Sequence, residues 1–192
     1  MTSFQNPSQD VIASYLKNAK TIAVVGLSER ENSPAYGVSK VMQEAGYTII
    51  PVNPRLAGEK VLGETAYARL QDIPVHVDIV DVFRRSEFLP EVAKDFIETD
   101  ADIFWAQLGL ESQEAAEILQ ATGRDKIVMN KCIKIEYQGL KKFLKITVKM
   151  RRFFRNEFSH SLLAKNARLV VFLGKIVNFY LENLKSSDFY KK

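Results

Sequence analysis

The segment at residues 21–26, with sequence TIAVVG, constrains the fold more than any other part of the chain. It is a near-continuous apolar run, rich in β-branched residues and ended by a glycine. Such a run is typical of a strand that is buried on both faces of a parallel sheet. A sheet of this kind needs helices on both faces, so we predict an α/β fold.

The rest of the first 130 residues repeats this alternation of strand-like and helix-like segments. Alternation at this spacing predicts βαβ units, a parallel sheet and right-handed crossovers. We therefore predict a Rossmann-like, doubly wound parallel sheet of about five strands in a three-layer αβα arrangement. The predicted strands are residues 21–26, 47–54, 77–83, 103–107 and 126–129, with residues 133–135 as a candidate extension; the predicted helices are residues 10–19, 36–46, 65–71, 90–98 and 112–121.

Charge divides the chain into two unlike segments. Residues 1–138 contain 14 lysines and arginines against 20 acidic residues, a net charge of −6, whereas residues 139–192 contain 13 against 3, a net charge of +10. We predict one domain over residues 1–138 and a basic, Phe/Lys-rich C-terminal extension over residues 139–192. Three interpretations of the extension stay open: a basic amphipathic helix for membrane surfaces, a nucleic-acid arm, or an out-of-frame extension without a selected function.

Several classes of protein and of site lack support in the sequence. The only cysteine, Cys132, cannot form an intramolecular disulfide, and it is interpreted as a buried thiol, with a reactive thiolate as the alternative. The polar start and the lack of any run of about 18 apolar residues favour a cytoplasmic protein. The two histidines, His76 and His160, and the single cysteine do not have the spacing of metal ligands, so we predict no metal site. The Gly-x-Ser-x-Gly motif of a nucleophile elbow is absent, and we predict no catalytic residues.

The ligand of an open parallel sheet binds beyond the carboxyl ends of the strands, at the point where the strand order reverses. In this chain the loop after residue 26 leads into a helix, whose amino end favours phosphate. Arg55, Arg84 and Arg85 add positive charge at neighbouring strand ends, so we expect a phosphate-bearing ligand. NAD is disfavoured, because a Gly-x-Gly-x-x-Gly motif is absent and no acidic residue ends the second strand.

Six short motifs occur in order between residues 20 and 137: AVVGLS (23–28), GY (46–47), PVNP (51–54), DIVDVFR (78–84), WAQLG (105–109) and NKCIKIE (130–136). Together they resemble the stand-alone CoA-binding domain proteins, which are related to the CoA-binding domain of the succinyl-CoA synthetase α subunit. The resemblance implies a five-stranded, doubly wound domain that binds CoA. It covers no part of the synthetase's phosphohistidine domain, since nothing after residue 137 resembles it.

The resemblance also implies site residues, which fall at three strand ends. The first loop has the sequence SERE from Ser28 onward, where the synthetase has a glycine-bearing loop. The implied contacts are Gly26, Leu27, Ser28, Glu29 and Arg30, with Ser33 and Tyr36 opening the helix; Val52, Asn53, Pro54 and Arg55 on the adenosine side; and Val82, Phe83 and Arg84 after the third strand.

The resulting functional expectation is non-catalytic binding of coenzyme A, or of an acyl-CoA, at the carboxyl edge of a parallel sheet. Two alternatives stay open: a CoA-presenting subunit of an acyl-CoA ligase-type enzyme, and a nucleotide-binding regulator. The expected partner is the small molecule, with no specific nucleic acid and with membrane contact only through residues 139–192.

Overall fold

The computed structural model describes residues 3–157, with side chains for residues 3–149. The elements are α1 Gln9–Asn18, β1 Thr21–Val25, α2 Pro34–Glu44, β2 Thr48–Val52, β3 Lys60–Val61, β4 Glu64–Thr65, β5 Ile79–Val82, α3 Leu89–Ile97, β6 Ile103–Ala106, α4 Gln113–Ala121, β7 Ile127–Val128 and α5 Ile133–Glu157.

Five of these strands form one parallel sheet in the order β2-β1-β5-β6-β7, and the two short strands β3 and β4 form an antiparallel hairpin. The predicted doubly wound, Rossmann-like α/β fold is therefore confirmed.

Helices cover both faces of the sheet, because the strands present apolar side chains on each. Val80 and Phe104 belong to a core cluster that also contains Val92 of α3 and Leu119 of α4. Successive strand side chains point to opposite faces. Ile22, Ile79 and Trp105 are therefore on the other face, and they are as deeply buried as Leu16 of α1 and Met42 of α2. The double coverage explains why the strands read as continuous apolar runs.

The helix predicted at residues 65–71 is wrong. Residues 60–65 form the β3–β4 hairpin, and Leu70–Asp72 form only a single 3₁₀ turn. Leu62 and Gly63 have φ angles of 55° and 83°, the positive values that a tight two-residue hairpin turn requires. Tyr67 then stays extended, because its backbone bonds to Pro51 and Asn53 beside the end of β2.

The candidate strand at residues 133–135 is also wrong, because α5 begins at Ile133. Asn130 has a φ of 54° and turns the chain away from β7. The backbone amides of Ile135 and Glu136 both donate to the Cys132 carbonyl, which starts the helical pattern. The indole Nε1 of Trp105 donates to the Lys131 carbonyl at 2.7 Å and anchors this turn to β6.

The chain divides into two compact units, Met1–Gly139 and Leu140–Lys192. The first contains the sheet and the first turns of α5. In the described part of the second, Leu144 and Val148 are exposed on a helical segment that also carries Lys145 and Lys149. No helix among the described residues has the length and apolar character to span a bilayer. Residues 158–192, the remainder of the predicted C-terminal extension, lie outside the described residues.

Candidate ligand-binding site

The strand order reverses between β1 and β5, which places a crevice at the carboxyl ends of these two strands. Val25 at the end of β1 is in register with Val52 of β2 and with Val82 of β5. The loops that follow the three strands therefore start side by side. They are the three places at which the sequence predicts contacts to a ligand, and the structure brings them together at one edge of the sheet.

Gly26 is the first residue after β1, and its backbone requires glycine. Its φ is +93°, in the region that L side chains rarely adopt. A Cβ at this position would lie 3.4 Å from the Phe83 carbonyl oxygen and 3.6 Å from Cδ of Arg84. These are ordinary van der Waals distances, so the backbone angle rather than the space requires glycine, and the contacts show that Gly26 lies beside the loop after β5.

The loop after β1 leads into the amino end of α2. The Ser33 hydroxyl accepts a hydrogen bond from the Tyr36 amide at 3.2 Å, and Pro34 opens the helix, so Ser33 is its N-cap. Ser28 and Tyr36 are half-buried, whereas Glu29 and Arg30 are exposed. Pro34 has no amide hydrogen, and the amides of Tyr36 and Gly37 both donate to Ser33. Among the described residues of the first turn, the Ala35 amide is therefore the one left at the helix end, which carries a partial positive charge.

Asn53 connects the loops after β1 and β2. Its side-chain amide donates to the Leu27 carbonyl at 2.9 Å, and its side-chain oxygen accepts from the Arg55 amide at 3.1 Å. These bonds commit the polar atoms of Asn53 to holding the two loops together. Pro54 and Arg55 are exposed at the rim, in the 3₁₀ turn that follows.

Arg84 and Arg85 follow β5 but have different surroundings. The Arg84 guanidinium lies 4.9 Å from the centre of the Phe88 ring, and no carboxylate among the described residues is within ion-pair distance of it. Arg85 also lies over Phe88, at 5.2 Å, but it pairs with Glu87 at 3.0 Å. Arg84 is half-buried beside Gly26, so it is the cation that the fold positions at the crevice.

Two predicted contact residues, Leu27 and Val52, have side chains in the core, with exposed fractions of 0% and 4%. Val52 contributes its carbonyl, which accepts from the Gly26 amide at 2.9 Å. Phe83 is half-buried, and its amide donates to the Val25 carbonyl at 2.9 Å. These residues therefore shape the floor of the crevice.

Beneath this edge lies a buried polar pair that we did not single out as part of the site. Gln107 donates from its side-chain amide to both carboxyl oxygens of Asp81, at 2.8 and 2.9 Å, and the two residues are 4% and 1% exposed. Burial raises the pKa of Asp81 to about 8 against the hydrogen bond from Gln107. The signal in the sequence is an aspartate within an otherwise apolar strand.

Three comparisons bear on this arrangement. The model of a CoA binding domain family matches residues 20–138. The uncharacterized protein YneT of Bacillus subtilis is 50% identical over 133 residues, which is 69% of this chain and 96% of YneT. A solved structure from Thermus thermophilus is 36% identical with a TM-score of 0.62, covering 70% of this chain and 99% of that one.

A larger protein shares the fold at lower identity. The dinucleotide-forming acetyl-coenzyme A synthetase 1 of Ca. Korarchaeum cryptofilum is 18% identical, with a TM-score of 0.52. The similarity covers 64% of this chain and 28% of the synthetase. The shared part is therefore one portion of a longer chain.

Proposed function

The chain belongs to the CoA binding domain family, and from this membership we propose that it binds coenzyme A, or an acyl-CoA, without catalysing a reaction on it. The observation that carries the proposal is the convergence of Gly26, the amino end of α2 and Arg84 at the β1/β5 crevice. The amides of the loop after β1, the partial positive charge at the helix end and a guanidinium with no carboxylate partner among the described residues suit a diphosphate.

We assign the ligand's phosphates to the loop after β1 and to Arg84. In this assignment the amides after Gly26 and the Ala35 amide at the start of α2 donate to the diphosphate, and Arg84 donates from the β5 side. Arg55 stands at the rim after β2, on the side proposed for the adenosine. Glu29 is exposed, so its carboxylate can point into solvent, away from the diphosphate.

The absence of a catalytic role is part of the proposal and is supported by the polar groups nearest the crevice. Asp81 is buried and bonded to Gln107, and burial raises its pKa to about 8, so it offers no base at the surface. The thiol of Cys132 is also buried. Among the described residues, no nucleophile is hydrogen-bonded to a general base at this edge, an arrangement that covalent catalysis requires.

Coenzyme A is expected to raise the melting temperature of the protein in proportion to the logarithm of its concentration. A ligand that binds only the folded state at 100 times its Kd stabilises it by about 2.7 kcal/mol, which is several degrees for a domain of this size. NAD is the matched control, because it shares the adenosine and the diphosphate but lacks the pantetheine. Thermal melts with each ligand test the assignment, and an equal shift with NAD would refute it.

We also propose that residues 1–138 form an autonomous ligand-binding domain. Every predicted contact residue precedes residue 85, and the family match ends at residue 138. Removing residues 140–192 is therefore expected to leave a folded protein with unchanged affinity for CoA. Melting curves and CoA titrations of the full and shortened chains measure this.

A second truncation after Glu157, the last described residue of α5, is the control for cutting the helix. Loss of folding or of CoA affinity in the protein that ends at residue 139 would show that the extension belongs to the domain.

A further inference from the structure

The opposite edge of the sheet carries a cluster that the proposed function does not use. His76 and Asp78 precede β5, and Asp102 precedes β6, so all three lie at the amino ends of neighbouring strands. We propose that the imidazole of His76 and one carboxylate oxygen each of Asp78 and Asp102 bind a divalent transition-metal ion of the Zn²⁺ class.

The three donor atoms have the spacing of a small coordination shell. They all lie within 4.8 Å of one another. Nε2 of His76 is 3.4 Å from Oδ2 of Asp102 and 3.9 Å from Oδ1 of Asp78. Tetrahedral zinc with bonds of about 2.0–2.1 Å separates its ligand atoms by about 3.3 Å. The two distances from Nε2 exceed this value by about 0.1 Å and about 0.6 Å, and the two carboxylate oxygens lie within 4.8 Å of each other.

Each carboxylate is fixed by partners outside the cluster through its other oxygen. Oδ2 of Asp78 accepts from the amides of Lys20 and Thr21 and from the Thr21 hydroxyl, each at 2.8 Å. Oδ1 of Asp102 lies 3.4 Å from Nζ of Lys126. The oxygens that remain, Oδ1 of Asp78 and Oδ2 of Asp102, are those nearest His76. The fold thus presents both of them to the imidazole before any ion binds.

Asp100 completes the arrangement from behind the imidazole. One of its oxygens lies 3.1 Å from Nδ1 of His76. A hydrogen bond from Nδ1–H to a carboxylate fixes the tautomer in which Nε2 offers a lone pair, and metal-bound histidines usually have such a partner. Nε2 is the nitrogen that faces Asp78 and Asp102, so the imidazole is oriented toward the proposed ion.

The donor set selects the class of metal. Imidazole nitrogen suits zinc, copper and nickel, whereas Mg²⁺ and Ca²⁺ prefer sites made of oxygen alone. The side chains of His76 and Asp102 are about half exposed, at 48% and 44%, so water can complete the shell. Bound metal would join the segments that lead into β5 and β6, and would therefore stabilise the folded state by mass action.

Zinc titration of the full chain by calorimetry at about pH 8, after treatment with a chelator, tests the proposal. We expect one saturable site, a rise in melting temperature with Zn²⁺, and little response to Mg²⁺. His76→Ala and, independently, Asp102→Asn should each weaken the affinity at least about tenfold, as loss of a metal ligand or its support does.

His160→Ala is the matched control, since His76 and His160 are the two histidines of the chain. It should leave zinc affinity unchanged. The proposal is overturned if no saturable binding occurs, if His76→Ala and Asp102→Asn bind zinc as the parent does, or if His160→Ala removes the binding. The folded state of each variant is checked by its melting curve without metal.

Discussion

Replacing Asp81 with asparagine is expected to abolish a pH dependence of the parent protein. Between about pH 4 and about pH 8, the free energy of unfolding of the parent should fall by about 1.4 kcal/mol per pH unit because of Asp81. Burial raises the pKa of Asp81 from 3.8 to about 8 in the folded protein. In this window the folded state holds a proton that the unfolded chain has released. Raising the pH therefore favours unfolding, and the full penalty is reached above pH 8.

The asparagine variant keeps the shape of the side chain and an oxygen that accepts from Gln107, but it cannot ionise. We expect the two proteins to differ little at about pH 4 and the variant to be more stable by several kcal/mol at about pH 9. Denaturant unfolding of both proteins across this range measures the difference. Comparing them cancels the titration of all other groups, including His76, whose pKa is raised chiefly by its hydrogen bond to Asp100.

Asp72→Asn serves as the control for a carboxylate at the surface. Asp72 is exposed and pairs with Arg69 at 3.2 Å. Its replacement removes a surface carboxylate and leaves the buried pair of Asp81 and Gln107 intact, so we expect this variant to keep the loss of stability that the Asp81 carboxyl causes. If Asp81→Asn shows the same pH dependence as the parent, the Asp81 carboxyl is ionised in the folded protein and the description of the buried pair is wrong.

Replacing Arg84 with alanine is expected to weaken CoA binding by about 10- to 150-fold. This range corresponds to about 1.5–3 kcal/mol, the contribution of a hydrogen bond to a charged group. The physical reason is the position of Arg84 beside Gly26, without a carboxylate partner among the described residues, where a phosphate would complete its hydrogen bonding. Calorimetric titration with CoA measures the loss.

Arg85→Ala is the matched control, because Arg85 shares the contact with the Phe88 ring but pairs with Glu87 in solvent. Removing an exposed pair of this kind changes free energies by less than about 1 kcal/mol. We expect this variant to bind CoA nearly as the parent does. If both variants lose the same CoA affinity, they act through the Phe88 ring or through the net charge of the protein. If Arg84→Ala binds CoA with unchanged affinity, Arg84 is not part of the site.

Local sequence patterns determined most of the secondary structure of residues 1–130. The apolar β-branched runs predicted all five strands of the parallel sheet, since a doubly covered strand has no polar face to interrupt it. Helical spacing predicted α2 over residues 36–46, and the helix begins two residues earlier, at Pro34 after its N-cap Ser33. The two errors fell where a single backbone angle decides the path, at Leu62 in the hairpin and at Asn130 before α5.

Strand order along the chain predicted which loops lie at one edge of the sheet, because parallel strands all end there. The resemblance to the CoA-binding domain proteins supplied the individual contact residues, but neither gave the local surroundings of each side chain. Asn53 is hydrogen-bonded to the loop after β1, Leu27 and Val52 are buried, and Arg84 lies beside Gly26 whereas Arg85 pairs with Glu87. All of these contacts depend on how the three loops pack together.

By itself, then, the sequence determined the fold class, the strands and the edge at which a ligand is expected. Only the tertiary structure decided which distant side chains meet. Asp81 pairs with Gln107, and His76 approaches Asp102, because β5 and β6 are neighbours in a particular register. Periodicity within one segment fixes which face of a strand is buried, but it does not fix which residues of the neighbouring strand stand opposite.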